Sequence, residues 1–495
     1  MLLPDPRPER LERRADLIRL LREHLEPEQV LHEPEELVAY ECDALSAYRQ
    51  RPLLVTLPNS TADVAAIVRA CARCGIPIVP WGAGTGLSGG ALPLRDGVLV
   101  SMARMNQIRE IDLPNRTATV QPGVTNLAVT QAVAGSGYYY APDPSSQLAC
   151  TIGGNVAENS GGVHCLKYGT TTNNVLGLEV VLADGEVVRV GGKAMDQAGL
   201  DLVGLLTGSE GLLAITTEAT LRILRRPELA RAMMAVYDSV EAAGQAVADV
   251  IAAGMVPAGM EIMDRLAIEA TEDFVGAGYP RGVEALLLVE LDGAASEVEH
   301  LMGLLQSLLE GSGATKIRVA KNEEERLKLW AGRKAAFPAM GRISPDYYCM
   351  DGTIPRGKLP HVLQRIRELA EPFGLAVANV FHAGDGNLHP LVLYDSNREG
   401  ELEKAEELGA EILKLCVEVG GVLSGEHGIG VEKRELMPCM FGDEDLDAQE
   451  RIKEACDPGR LYNPGKVFPV LRRCIEGGRM HVHAGEENCP PLERF

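Results

Sequence analysis

Two histidines flank a Gly-Asp-Gly-Asn core in the stretch FHAGDGNLHP, Phe381 to Pro390. Gly and Asn tolerate positive φ, so this core predicts a tight turn that folds the chain back and lets His382 and His389 meet across a hairpin. Further on, SGEHGIG sets a carboxylate and an imidazole side by side, Glu426 and His427, between glycines. Two neutral imidazoles and a carboxylate suit a borderline divalent metal such as Zn, Mn or Fe, with positions left open for a substrate. His382, His389 and Glu426 are therefore candidate metal ligands. The alternative is a hydrogen-bonded histidine pair that only steadies the turn. His24, His300 and His361 are isolated in sequence and are expected to be structural. No H-E-x-x-H occurs, so no protease signature marks the metal as hydrolytic.

A second chemical signal is glycine. PWGAGTGLSGG, Pro80 to Gly90, follows the apolar IPIVP and contains G-x-G-x-x-G at Gly84, Gly86 and Gly89. A Rossmann site needs a helix directly after those glycines, but ALPLRDG follows, and Pro93 and Gly97 exclude a regular helix there. No Gly-Lys-Ser/Thr closes a Walker loop. So many glycines still let backbone N–H groups approach an anion closely. A second glycine-rich loop is expected in CTIGGNVAENSGG, Cys150 to Gly162. Together the two could hold a diphosphate and a ring system; the alternative is two flexible loops.

The elements that must position these residues are of mixed type. A chain of 495 residues is too long for one ordinary core, and two or three domains are expected. Composition is that of a folded protein, with 46% hydrophobic and 24% charged residues. The formal charge of −22 comes with no basic cluster, which excludes a phosphate-tracking surface and hence nucleic acid as partner. The start, MLLPDPRPERLERR, lacks the pattern of a signal peptide, and no apolar run approaches the ~18–20 residues of a transmembrane helix. The expected location is cytoplasmic, or peripheral through a partner. Among 11 cysteines only Cys71 and Cys74 form C-x-x-C, inside STADVAAIVRACARCGIP. That segment reads as a helix capped at Ser60 or Thr61, stopped at Gly75, with Val64, Ile67, Val68 and Cys71 inward. No cysteine spacing fits an iron–sulfur cluster.

An α+β fold class follows, in five parts: a helical arm over 1–50, a glycine-rich α+β block over 51–225, a second α+β block over 226–422, a closing segment over 423–470 and a tail over 471–495. The tail reads as a subunit contact.

Three segments carry a family resemblance: PWGAGTGLSGG, the PDP of Pro142–Pro144 with TIGGNVAENSGG after it, and GSEGLLAITTEATLRI. They resemble the FAD-binding domain of the vanillyl-alcohol-oxidase-type (PCMH) flavoproteins. HAGDGNLHP, SGEHGIG and LYNPGKVF resemble the FAD-linked branch that oxidises D-2-hydroxy acids, and the tail RMHVHAGEENCPPLERF is similar to that of the flavin-bearing subunits of bacterial glycolate oxidases. The resemblance implies FAD in the first block and a substrate domain after it, the FAD-linked-oxidase C-terminal domain. Gly82, Ala83, Gly84, Thr85, Gly86 and Leu87 would meet the pyrophosphate. Gly154, Asn155 and Gly161 would lie near the flavin, Glu210 and Ile215 near the adenine half, and Pro80, Pro142, Asp143 and Asn463 elsewhere along the cofactor. Some members of the superfamily bond flavin to a histidine in the glycine loop; this loop has none, which implies non-covalent FAD.

The same resemblance makes His427 the general base and Arg333 the carboxylate-binding arginine, whose planar guanidinium suits that ligand. Relatives that accept dicarboxylic acids carry extra polar groups shortly after this arginine, where this chain has Phe337 and then Cys349. A short monocarboxylate is implied, glycolate oxidised to glyoxylate or D-lactate. The expected partners are a second flavin-domain subunit and an iron–sulfur subunit of a glycolate-oxidising complex. The rival readings are a self-sufficient D-lactate dehydrogenase and a flavin-binding subunit without chemistry of its own.

Overall fold

The computed structural model describes residues 3–194 and 199–470, with the backbone of the strand pair Arg472–Arg473 and Met480–His481. The expected subunit contact in the tail otherwise lies outside the described residues. Internal contacts divide the chain into two units, one of Met1–Ser160, Thr170–Arg225 and Glu426–Phe495, the other of Gly161–Gly169 and Arg226–Gly425. Two features differ from the blocks expected from sequence. Residues 161–169 join the second unit, where Val163 and Leu166 fill the space that side chains at Gly259 and Gly384 would need. The chain from Glu426 returns to the first unit.

The first unit contains two main sheets. In one, Val30–Leu31, Leu54–Thr56, Val98–Ser101 and Ile78–Trp81 lie in that order, the last three parallel. Parallel strands need a crossover, and the helix Thr61–Cys74 carries the chain from Leu54–Thr56 to Ile78–Trp81, on either side of Val98–Ser101. The Ser60 hydroxyl accepts from the Asp63 N–H at its start, and Gly75, at φ +63°, stops it in the left-handed conformation. Val64, Ile67, Val68 and Cys71 are buried, so Cys71 is core. The other sheet, Ile108–Asp112, Thr117–Val120, Ile215–Arg222, Val175–Val181 and Val187–Gly191, is antiparallel throughout.

Between Trp81 and Val98 there is no helix, which agrees with rejecting a Rossmann site. The expectation of a second glycine-rich loop is corrected. Ile152–Glu158 is a helix, capped by Thr151 and ended by Asn159 at φ +53°. Its glycines serve close packing, since a Cβ at Gly153 would stand 2.6 Å from Pro122. Buried Ile152, Asn155 and Val156 supply the contacts that outweigh poor helix propensity.

The second unit is built on a seven-stranded antiparallel sheet in the order Lys316–Val319, Leu229–Tyr237, Ala285–Gly293, Gly259–Asp264, Val377–His382, Asn387–Tyr394, Asp346–Cys349. Consecutive residues Leu286–Leu291 are buried, so both faces are covered and the run shows no polar alternation. One face packs Ala232, Met234, Leu288 and Val380 against Ile268, Leu329, Trp330 and Met340. Helices Val240–Ala252 and Ala295–Gly311 pack on the sheet as well.

The histidine hairpin forms, with a register that refines the expectation. His382 stands opposite Asn387, and His389 opposite Val380. The two imidazoles are therefore diagonal neighbours on one face, 5.0 Å between centroids and nearly perpendicular. Gly386 makes the turn possible at φ +84°, and a Cβ there would lie 2.2 Å from the Ile354 carbonyl oxygen of a neighbouring segment. Gly386→Ala should cost about 2–4 kcal/mol, from left-handed strain plus overpacking. Gly400→Ala, at φ +80° in open space, should cost only about 1–2 kcal/mol. Denaturant titration of both variants measures the difference.

Candidate functional site

In the second unit a single buried carboxylate organises the predicted residues. Glu261 sits in the strand Gly259–Asp264, fully buried and opposite His382 in register. Its Oε1 lies 2.7 Å from His382 Nδ1. Its Oε2 accepts from Arg333 Nε at 2.7 Å, and Arg333 Nη2 lies 2.6 Å from the same oxygen. The second contact is an ion pair without hydrogen-bond alignment, because Nη2 has no directional partner. Arg333 is 1% exposed, on the helix Glu323–Lys334 whose Leu329 and Trp330 enter the core. Sequence reasoning missed Glu261. The available signal was a charged residue inside GMEIMD, an otherwise apolar strand.

The tautomers follow from these contacts. His389 Nδ1 is 3.2 Å from the Met350 carbonyl oxygen and so carries the proton. His382 Nδ1 donates to the Glu261 carboxylate by the same logic. Each neutral ring then has its lone pair on Nε2, the arrangement that outer partners impose on metal-binding histidines. Phe337 packs edge-on against His389 at 5.9 Å and against Tyr347 at 6.3 Å, which makes this side of the imidazole pair apolar.

SGEHGIG is anchored at both ends by carboxylates. Asp351, fully buried, accepts from Ser424 Oγ and the Gly425 N–H within the second unit. From Glu426 onward the chain is in the first unit. There the His427 carbonyl accepts from Ser88 Oγ at 2.9 Å. Glu210 accepts from the Ile429 N–H at 2.6 Å and the Gly430 N–H at 2.7 Å. Thus His382, His389 and Arg333 are brought together in one unit, and Glu426 and His427 stand in the other.

The first unit also contains a cleft rich in Gly and Ala. Pro80, Gly82, Gly154, Glu210 and Ile215 line it, as do Gly90, Glu158 and Ser209, which sequence reasoning did not select. A Cβ at Gly82 would approach Thr151 Oγ1 to 2.6 Å, and one at Gly90 would approach Glu158 Oε1 to 2.7 Å. Glycine at both positions leaves the backbone without a side chain there, which suits an extended anionic ligand. Ala83, Gly84, Thr85, Gly86 and Leu87 do not line the cleft, nor do Pro142 and Asp143. Asn155 is turned inward to Asn126, which also donates to the Pro142 carbonyl. Gly161 falls in the second unit. Asn463 Nδ2 donates to the carbonyls of Gly90 and Glu210 and ties these two segments together, while Lys466 Nζ holds the Gly90 carbonyl at 2.8 Å.

Charge beneath the cleft is strongly perturbed. Burial, then the charges of Glu210 and Asp43, push the Glu158 carboxyl well above its ordinary range. Burial raises Glu210 too, opposed by the Ile429 and Gly430 N–H groups. Burial lowers Lys466 to about 7 and raises Asp43 to about 6, each opposing the other's shift.

Comparison with known proteins accounts for both units. Residues 52–191 match the FAD binding domain family, and residues 226–467 match the C-terminal domain of FAD linked oxidases. The glycolate oxidase subunit GlcD of Escherichia coli (strain K12) is 56% identical over 482 residues, 97% of each chain. The D-lactate dehydrogenase of Archaeoglobus fulgidus is 36% identical over 422 residues, 84% of this chain and 92% of the relative. The solved structure of p-cresol methylhydroxylase with substrate bound superposes with a TM-score of 0.78 at 17% identity, covering 95% of this chain and 99% of the other, which shows a shared fold.

The buried pair gives a direct test. Glu261→Ala leaves the Arg333 guanidinium buried without its counter-charge and should cost roughly 3–5 kcal/mol in denaturant unfolding. Arg333→Leu added to Glu261→Ala should recover much of that loss. A second expectation concerns the cleft, whose lining contains no His, Cys or Tyr to bond a flavin. Acid precipitation should release all the yellow chromophore into the supernatant.

Proposed function

The chain belongs to the FAD-linked oxidases, the family of the glycolate oxidase GlcD subunits, and we propose that it oxidises a short 2-hydroxy monocarboxylate, glycolate to glyoxylate, with FAD and a divalent metal. The observation that carries this reading is the Glu261-centred arrangement, which fixes an arginine and two like-oriented imidazoles on one buried face. The cleft is the proposed FAD site, since Gly82, Gly154, Glu210 and Ile215 line it in the unit that holds the FAD binding domain match.

When bound, FAD supplies the acceptor for the C2 hydride. A metal would supply Lewis-acid polarisation of the substrate hydroxyl, with the Nε2 lone pairs of His382 and His389 as donors. Glu426 follows directly on Gly425, whose N–H is fixed by Asp351. Arg333 spends its Nε and Nη2 edge on Glu261, and Nη1 remains on the other edge of the fork for the substrate carboxylate. His427 takes the hydroxyl proton as general base.

Phe337 supports a monocarboxylate. A second carboxylate set against its ring would be buried without a partner, at a cost of several kcal/mol. Glycolate and D-lactate differ by one methyl, worth only ~1–3 kcal/mol to a pocket, and the D-lactate dehydrogenase relative keeps that substrate as the second reading. GlcD is named as a subunit, which supports work within a complex; the proposed partners are a second flavin-domain subunit and an iron–sulfur subunit. Among the described residues no helix is long and apolar enough to cross a membrane.

Substrate profiling of the purified chain with an artificial electron acceptor tests the reaction directly: glycolate or D-lactate should bleach the flavin, and NAD should give no turnover. His427→Ala should lower kcat by ~10²–10⁴ with flavin content unchanged. His382→Ala, or chelation of the native protein, should remove the metal measured by elemental analysis and stop turnover while FAD stays bound. Full turnover in metal-free protein would leave the histidine pair a structural role only.

A further inference from the structure

Beneath the flavin cleft two carboxyls converge on the same backbone. A Cβ at Gly428 would stand 2.2 Å from Glu158 Oε2 and 2.9 Å from Glu210 Oε1, and one at Gly90 would lie 2.7 Å from Glu158 Oε1 and 3.6 Å from Glu210 Oε2. Both residues line the cleft. Their surroundings differ. Glu210 receives two backbone N–H groups, Ile429 and Gly430, one on each oxygen. It holds φ at +49°, a conformation that costs a bulky residue energy and persists only where neighbours impose it. Glu158 is only half-buried, yet its Oε2 is shielded from solvent and has no hydrogen-bond partner among the described residues.

Two carboxylates this close cannot both ionise at low cost, and the one holding two N–H donors keeps the charge. A cleft that accepts a diphosphate adds further reason for the other to be neutral. We propose that Glu158 is a cofactor-positioning residue, held as the neutral carboxylic acid beside ionised Glu210, and that its Oε2–H donates to an acceptor atom of bound FAD. The inference depends on the cleft being the FAD site.

The remaining charges bear on the same proton. Asp43 and Glu210 face Glu158 and favour the acid, whereas Lys433 and Lys466 favour the carboxylate. Lys433 is itself engaged by Glu432 at 3.2 Å and by the Gly428 carbonyl. Burial outweighs the lysines, so the Glu158 proton is retained above the usual carboxyl range. The sign for binding follows. If the bound state needs the proton, FAD affinity is greatest where the apoprotein already holds it and falls as pH rises through the apoprotein's Glu158 pKa, by at most tenfold per pH unit.

The test is FAD titration of apoprotein, followed by flavin fluorescence, across about pH 6 to 9, for the native chain, Glu158→Gln and Glu158→Ala. Glu158→Gln keeps a neutral donor of the same length; it should hold affinity within about threefold of native at low pH and lose most of the decline with pH. Glu158→Ala should bind about three- to tenfold more weakly at low pH, the worth of one neutral hydrogen bond, and also lose the decline. Asp43 and Lys466 are intact in both variants, so a decline that persists in Glu158→Gln belongs to them and overturns the proposal. Native-like affinity in Glu158→Ala overturns it as well while leaving the cleft as the FAD site. Should Glu158→Ala fail to fold, Glu158→Gln decides alone. Native apoprotein that binds no FAD would overturn the cofactor site and this inference together.

Discussion

A carboxylate out of reach of water has to be matched where it stands, and Glu261 meets that requirement by gripping two functional groups at once. Its strand lies in the middle of a sheet covered on both faces, so neither oxygen can be solvated. One oxygen takes Arg333 and the other His382. The guanidinium fork and the first imidazole are thereby fixed relative to each other by a single side chain. His389 is then set by the hairpin register and by the Met350 carbonyl. Replacing such an ionic cluster with apolar residues is often neutral for stability, so its presence is better explained by orientation than by stabilisation.

The same constraint shapes the first unit, with a different outcome. Glu210 is matched by backbone N–H groups rather than by a cation, which pins Ile429 and Gly430 two and three residues beyond His427. Asn463 and Lys466 reach the Gly90 carbonyl from the closing segment and tie the glycine-rich loop to the same place. Glu158 is the member left with a buried oxygen unmatched. An oxygen unpaired in the protein is available to a ligand.

Glycine has three distinct uses in this chain, which explains why its density misled at one point. At Gly386 it supplies positive φ for a turn, and at Gly82 and Gly90 it clears space along the cleft. At Gly153 it lets a helix pack on Pro122. Composition alone does not separate these uses. The Thr151 cap is the local feature that separates the helix from a loop, because it satisfies an N–H that a helix start leaves open.

The sequence by itself determined what depends on near neighbours. The helix Thr61–Cys74 follows from its Ser60 cap, its apolar spacing and Gly75, and the histidine hairpin from Gly-Asp-Gly-Asn. The absence of a helix after the glycine loop follows from Pro93 and Gly97. Motif order along the chain was enough for the family, as the family matches and the 56% identity to GlcD bear out. Tertiary structure alone decided which distant groups share one low-dielectric space. Glu261, Arg333 and His382 come from three segments, and Asp43, Glu158, Glu210, Lys433 and Lys466 from five. Periodicity cannot report such meetings, because it reflects only how each element divides core from solvent. In Gly259–Asp264, buried on both faces, even that division disappears, and a carboxylate in the strand gives no sign of what will pair with it.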